Sequence, residues 1–270
     1  MKMAAVIGLA LLVAVFGTLA FLRLRQQPRF PNMGQALSAA DYAALAAKPG
    51  WQAQQIKVAP GIELRGLVRE PAAPAGPWVM FFSGNSPNVL RDGQQFLDAL
   101  CAERGWGGIV LAYRGYDSSG GTPDSKTLID DGFKAYRALL ADRKVPSRAV
   151  HLVGFSMGTS MAAGVAAQAS AQPPGSLTLL APMTLLYHGD RLQLRLHRYE
   201  TLKWLPQIAN PVLVIHGVKD TTLPVGNGRI VAEALGSRAT LLELPDVGHL
   251  ELPQTPAALD AIRGFIVAHP

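Results

Sequence analysis

The chain has 270 residues, 49 % of them hydrophobic and only 16 % charged, which excludes a disordered polymer and leaves room for a sizeable core. Its formal charge of +6 at pH 7 comes from scattered Lys and Arg. There is no run of five cations, no zinc-ligand spacing and no aromatic-basic pattern, so the surface reads as solvated and basic, with no nucleic-acid partner.

Residues 4–22 carry no charge and would cross ~30 Å of hydrocarbon as one helix. Arg23, Arg25 and Arg29 follow. A cleaved signal peptide is the competing reading. Its apolar region is usually about 7–15 residues long and ends at a small-x-small site. Thr18-Leu19-Ala20 matches such a site poorly. The sequence therefore predicts a single-pass membrane anchor at 1–25, in contact with lipid, then a tether at 26–54 with a short Ala-rich helix at 41–47. One domain should fill 55–270, and no internal repeat divides it. The side of the membrane turns on a single charge: Lys2 and the amino terminus oppose three Arg, which inclines the domain towards the cytoplasm.

Strands are predicted at 55–59, 63–69, 78–82, 108–112, 149–153, 176–180, 211–216 and 240–244. The first two form a hairpin turning at Pro60-Gly61, and the Pro- and Ala-rich stretch 71–77 is a surface loop. Helical periodicity marks 90–103, 128–141, 157–169, 229–235 and 256–267. Cys101, the only cysteine, falls in the first of these and reads as a buried packing residue; no intrachain disulfide can form. Several strands are apolar without alternation, as in a parallel sheet covered on both faces. The fold class is α/β: a mostly parallel, doubly wound sheet of eight strands, with ligands outside the carboxyl ends of its strands. A small cap is expected at about 182–209. Within it Arg191, Arg195 and Arg198 lie on one stripe and Leu192, Leu196 and Tyr199 on the next, in a basic amphipathic helix. Such a helix either packs on the domain with a solvated face or rests on anionic lipid.

The chemistry gathers at strand ends. Gly154-Phe155-Ser156-Met157-Gly158 joins a strand to a helix, the setting in which a Ser hydroxyl is thrust out over the sheet by a strained turn. A Ser hydroxyl needs an adjacent base. Of six His, His151 precedes the Ser, His188 and His197 precede any acid at a strand end, and His269 is next to the chain end. His216 reads as a residue that packs or hydrogen-bonds in its own turn, which leaves His249 as the base. Asp220, just after the strand at 211–216, is the candidate acid; Asp246 is the alternative, too close to His249 on one loop to reach the far ring nitrogen. An oxyanion formed on attack needs two N–H donors, expected from the backbones of Met157 and of Asn85 in Ser83-Gly84-Asn85-Ser86. No His, Cys or carboxylate cluster has metal-ligand spacing, so neither metal nor cofactor is implied.

These segments, together with Tyr113-Arg114-Gly115-Tyr116-Asp117-Ser118-Ser119-Gly120-Gly121 and Val214-Ile215-His216-Gly217, occur in an order that resembles the α/β-hydrolase superfamily, and within it the membrane-anchored ABHD-type serine hydrolases. The resemblance covers about residues 55–268. It implies a triad of Ser156, Asp220 and His249 with oxyanion donors at Met157 and Asn85, acting on a small-molecule or lipid acyl ester or thioester. Ser83-Gly84 stands where the family usually has His-Gly, a departure confined to the oxyanion loop. Two other functions stay open: a serine peptidase or amidase, and a non-catalytic membrane-tethered binding module on the same fold.

Overall fold

A computed structural model of the chain describes residues 37–184 and 201–270. The apolar run 4–22 with its flanking Arg, and the basic stripe of Arg191, Arg195 and Arg198, lie outside these residues. Among the described residues no helix is long and apolar enough to cross a membrane.

The described chain forms one sheet of eight strands: β1 (Gln52–Ala59), β2 (Ile62–Arg69), β3 (Trp78–Phe82), β4 (Gly107–Leu111), β5 (Val150–Phe155), β6 (Ser176–Leu180), β7 (Val212–Gly217) and β8 (Ala239–Leu244). Their order is β1-β2-β4-β3-β5-β6-β7-β8. β2 runs antiparallel to both β1 and β4, and every other pairing is parallel. β3, β4, β6 and β7 are buried along their whole length, which fits their mainly apolar sequences without alternation. β1 and β8 close the edges and are half exposed.

Helices α2 (Val89–Cys101), α3 (Ser125–Arg143), α4 (Met157–Gln168), α5 (Gly226–Leu235) and α6 (Pro256–Ala268) cover the sheet. Successive side chains of a strand point to opposite faces. Phe81 stacks on Phe96 of α2 at 4.2 Å between ring centroids, while the ring of its neighbour Phe82 lies against Gly132 of α3. The two helices therefore sit on opposite sides. Cys101 is fully buried at the end of α2, and burial pushes its thiol up to about 12.

β3 and β6 have the bounds expected from sequence, and the other strands shift by up to three residues. α3 starts at Ser125 rather than 128 because the Asp124 carboxylate accepts from the backbone N–H groups of Lys126 and Thr127 and caps the helix.

The expected tether at 26–54 needs correction from residue 37 onward. A further helix, α1 (Ala39–Ala46), is capped by Ser38 and packed on the domain. Leu45 and Trp51 are each 5 % exposed. Tyr42 Oη bonds the carbonyls of Gln54 and Gly66, Gln94 Nε2 donates to the Leu45 carbonyl, and Trp51 Nε1 donates to Asp98. Ser118, in the loop after β4, donates to the Leu37 carbonyl. Buried apolar surface and satisfied backbone groups make this stretch part of the domain rather than a linker.

Candidate active site

The parallel strands place their carboxyl ends on one side, and the predicted residues converge there. Ser156 follows β5 and is the N-cap of α4, with φ 52° and ψ −119°. A non-glycine residue in this region is strained, by about 1–3 kcal/mol. The surroundings hold it there. Ser156 N–H donates to Leu180 O at 2.9 Å, and Thr159 Oγ1 donates to Ser156 O at 2.6 Å. The two glycines of the motif are dictated by packing. A Cβ on Gly158 would overlap the carbonyl of Phe82 on β3, and one on Gly154 would stand 2.5 Å from the carbonyl of Gly158. Only two bare backbones let α4 start so close to β3 and β5.

His249 stands after β8, its Nε2 3.1 Å from Ser156 Oγ and its Nδ1 2.6 Å from Asp220 Oδ2. Phe155 lies against the imidazole at 5.0 Å between centroids and walls one side of it. Asp220 is only 6 % exposed. Its Oδ1 accepts from the N–H groups of Thr222 and Leu223 at 2.8 and 2.7 Å. Burial raises its carboxyl, but hydrogen bonds from His216, His249 and the Leu223 N–H outweigh burial and hold it well below the usual carboxylate range. Asp246, the alternative acid, faces solvent and pairs with Lys219 at 2.8 Å. The described geometry thus brings Ser156, His249 and Asp220 together and leaves Asp246 outside.

The candidate oxyanion donors flank this line. Met157 opens α4, where a backbone N–H has no carbonyl of its own helix to meet. Asn85 lies in the loop between β3 and α2. That loop is braced by two tyrosines whose part the sequence did not reveal: Tyr113 Oη donates to Ser83 O at 2.7 Å, and Tyr116 Oη donates to Asn85 Oδ1 at 2.8 Å. Burial pushes both phenols above their ordinary range, so they stay protonated donors. Behind them, Asp117 Oδ2 accepts from Leu90 N–H at 2.7 Å and fixes the start of α2. Among the described residues no group of three His, Cys, Asp or Glu converges as a metal-ligand set.

No family model matches the chain. It is 31 % identical over 204 residues to an uncharacterised protein of Mycobacterium tuberculosis H37Rv, covering 71 % of this chain and 70 % of the relative. It is 24 % identical over 235 residues to the alpha/beta hydrolase domain-containing protein aho-3 of Caenorhabditis elegans, covering 81 % and 69 %. Its fold is similar to that of a Pyrococcus furiosus esterase, with a TM-score of 0.68 at 15 % identity, over 90 % of this chain and 98 % of that one.

Proposed function

The chain belongs to the α/β-hydrolase superfamily, and from that premise we propose that it is a serine hydrolase cleaving a carboxylic ester or thioester through an acyl-enzyme. The observation that carries the reading is the line of hydrogen bonds from Ser156 Oγ through His249 to Asp220, at 3.1 and 2.6 Å. His249 Nδ1–H donates to Asp220, which leaves Nε2 with a lone pair facing the Ser hydroxyl. Ser156 Oγ attacks the acyl carbon as its proton passes to Nε2. The negative carbonyl oxygen accepts from the N–H groups of Met157 and Asn85. His249 returns the proton to the departing alcohol or thiol. Water then attacks the acyl-enzyme along the same path, its proton going to His249 and then to Ser156 Oγ, and the acid is released.

The substrate we propose is a small-molecule or lipid acyl ester. The apolar run 4–22 supports a membrane anchor that would keep the domain near such lipids. The name of the esterase with the similar fold supports an ester bond over an amide. Ser156→Ala tests the reading against a non-catalytic module. It should abolish labelling by a fluorophosphonate probe and lower kcat by about 10⁴–10⁶-fold, by analogy with triad knockouts. Undiminished labelling of the purified variant would overturn it.

A further inference from the structure

We propose that His216 is a positioning residue for this triad, a second imidazole that fixes the Asp220 carboxylate from behind. The inference rests on the proposed hydrolase reading. His216 ends β7 and is wholly buried. Its Nε2 lies 2.8 Å from the Leu223 carbonyl and 3.4 Å from Asp220 Oδ2. A carbonyl only accepts, so Nε2 carries the proton. The loop is then closed from both ends: Leu223 N–H donates to Asp220 Oδ1, while Leu223 O accepts from His216. Asp220 Oδ2 consequently faces two imidazoles, His249 at 2.6 Å and His216 at 3.4 Å.

The other ring nitrogen supports the same reading. Nδ1 is buried without a hydrogen-bond partner and faces Gly228 of α5, where an added Cβ would stand 2.8 Å away. The helix thus leaves room for the ring at Gly228. A histidine kept only for packing would not need both of its polar contacts, Leu223 O and Asp220 Oδ2, on the loop of the acid. The charged groups facing it from elsewhere are few. Glu243 of β8 pairs with it in register, and that carboxylate is held by Arg229 of α5.

Two variants separate positioning from folding. His216→Leu removes the donor and keeps an apolar side chain. His216→Gln offers an N–H near the position of Nε2. Each is compared with the wild-type protein for kcat and KM on a water-soluble acyl ester, for the pH dependence of kcat/KM, and for the His249 titration followed by long-range proton–nitrogen NMR. The Leu variant should lose about 10–100-fold in kcat with KM within about twofold, because the acid is misaligned only as charge develops on His249. Asp220 without the neighbouring His216 N–H attracts the imidazolium more strongly. The acid limb of the profile and the His249 midpoint should therefore both move to higher pH, by about half a unit. His216→Gln should recover most of each effect. Gly228→Ala, which pushes the ring without removing it, should resemble the Leu variant in milder form. An unmoved His249 midpoint in the Leu variant, or a Gln variant no better than Leu, would overturn the proposal. The NMR arm reads the coupling without any turnover. A protein that shows the coupling but resists the fluorophosphonate probe would sink the hydrolase reading alone.

Discussion

A carboxylate between two imidazoles is a more demanding arrangement than a surface ion pair, and the two candidate acids differ in that respect. Asp220 sits in a nearly closed set of donors, whereas Asp246 meets Lys219 in solvent. Asp220→Asn should cost about 10³–10⁴-fold in kcat, because an amide no longer selects the imidazole tautomer. Asp246→Asn should change it by less than about twofold, as expected of an exposed pair. The reverse ranking in a steady-state ester assay would remove Asp220 from the mechanism. Tyr116→Phe deletes the hydroxyl that holds Asn85. It should lower kcat by about 3–10-fold and leave KM near its wild-type value, if the Asn85 loop meets the oxyanion in the transition state. A change confined to KM would place that loop in substrate binding instead. At this scale Ser156, Asp220 and His249 were legible because each follows a strand, where motif spacing and chain order carry the information. His216 was legible only as a residue that hydrogen-bonds in its own turn, as it does to Leu223 O, and not as a neighbour of Asp220. The part of Tyr116 was not legible, because its partner Asn85 is met across loops and has no sequence signature.

Whole elements were legible in proportion to their burial. The strands at 78–82 and 176–180 are buried from end to end, and their bounds are those expected from sequence. α1 gave the opposite lesson. Its Ala-rich stretch looks like a linker because its hold on the domain comes from Tyr42, Leu45 and Trp51 meeting β1, β2 and α2, not from an apolar stripe. A chain starting at Gln52 loses the buried Leu45 and Trp51. At about 1.5–3 kcal/mol for each large side chain, and more for Trp, the domain should lose roughly 5 kcal/mol. For a domain this size that is a fall of about 10–20 °C in Tm. A chain starting at Pro28 keeps α1 and should melt like the full-length domain, stay in solution and turn over a soluble ester. Equal melting of the Pro28 and Gln52 chains would show that α1 contributes nothing. Equal membrane partitioning of the Pro28 and full-length chains would argue against an anchor at 4–22.

At the scale of the molecule the sheet separates two histidine environments. The carboxyl ends carry His216 and His249, both beside Asp220, while the other end carries His151 at the start of β5. His151 is 1 % exposed, its Nδ1 bonds Ser176 Oγ at 2.9 Å, and its Nε2 is buried without a partner. Burial, then the nearby His269, lowers it to about 4. The sign follows from which state holds more protons. Between about 4 and 6.5 the unfolded chain protonates this imidazole and the folded chain resists, so stability rises with pH across that window. The contribution is complete above about 6.5 and lost as pH falls through 4, on the order of 3 kcal/mol in total. Asp220 acts elsewhere. Its folded value is depressed, so its contribution is present above the unfolded carboxylate range and is lost only as pH falls below about 4. Urea unfolding at pH 7.0 and 4.5 therefore reads His151 with little interference from Asp220, and the comparison with a variant isolates it from every other group. The wild-type protein should be less stable at the lower pH by about 2 kcal/mol from this one group. His151→Asn keeps an N–H near the position of Nδ1 but cannot titrate. It should start lower at pH 7.0, because a smaller side chain leaves space behind it, and lose about 2 kcal/mol less on acidification. If the two proteins lose the same stability between pH 7.0 and 4.5, the buried imidazole is not the group that senses acid.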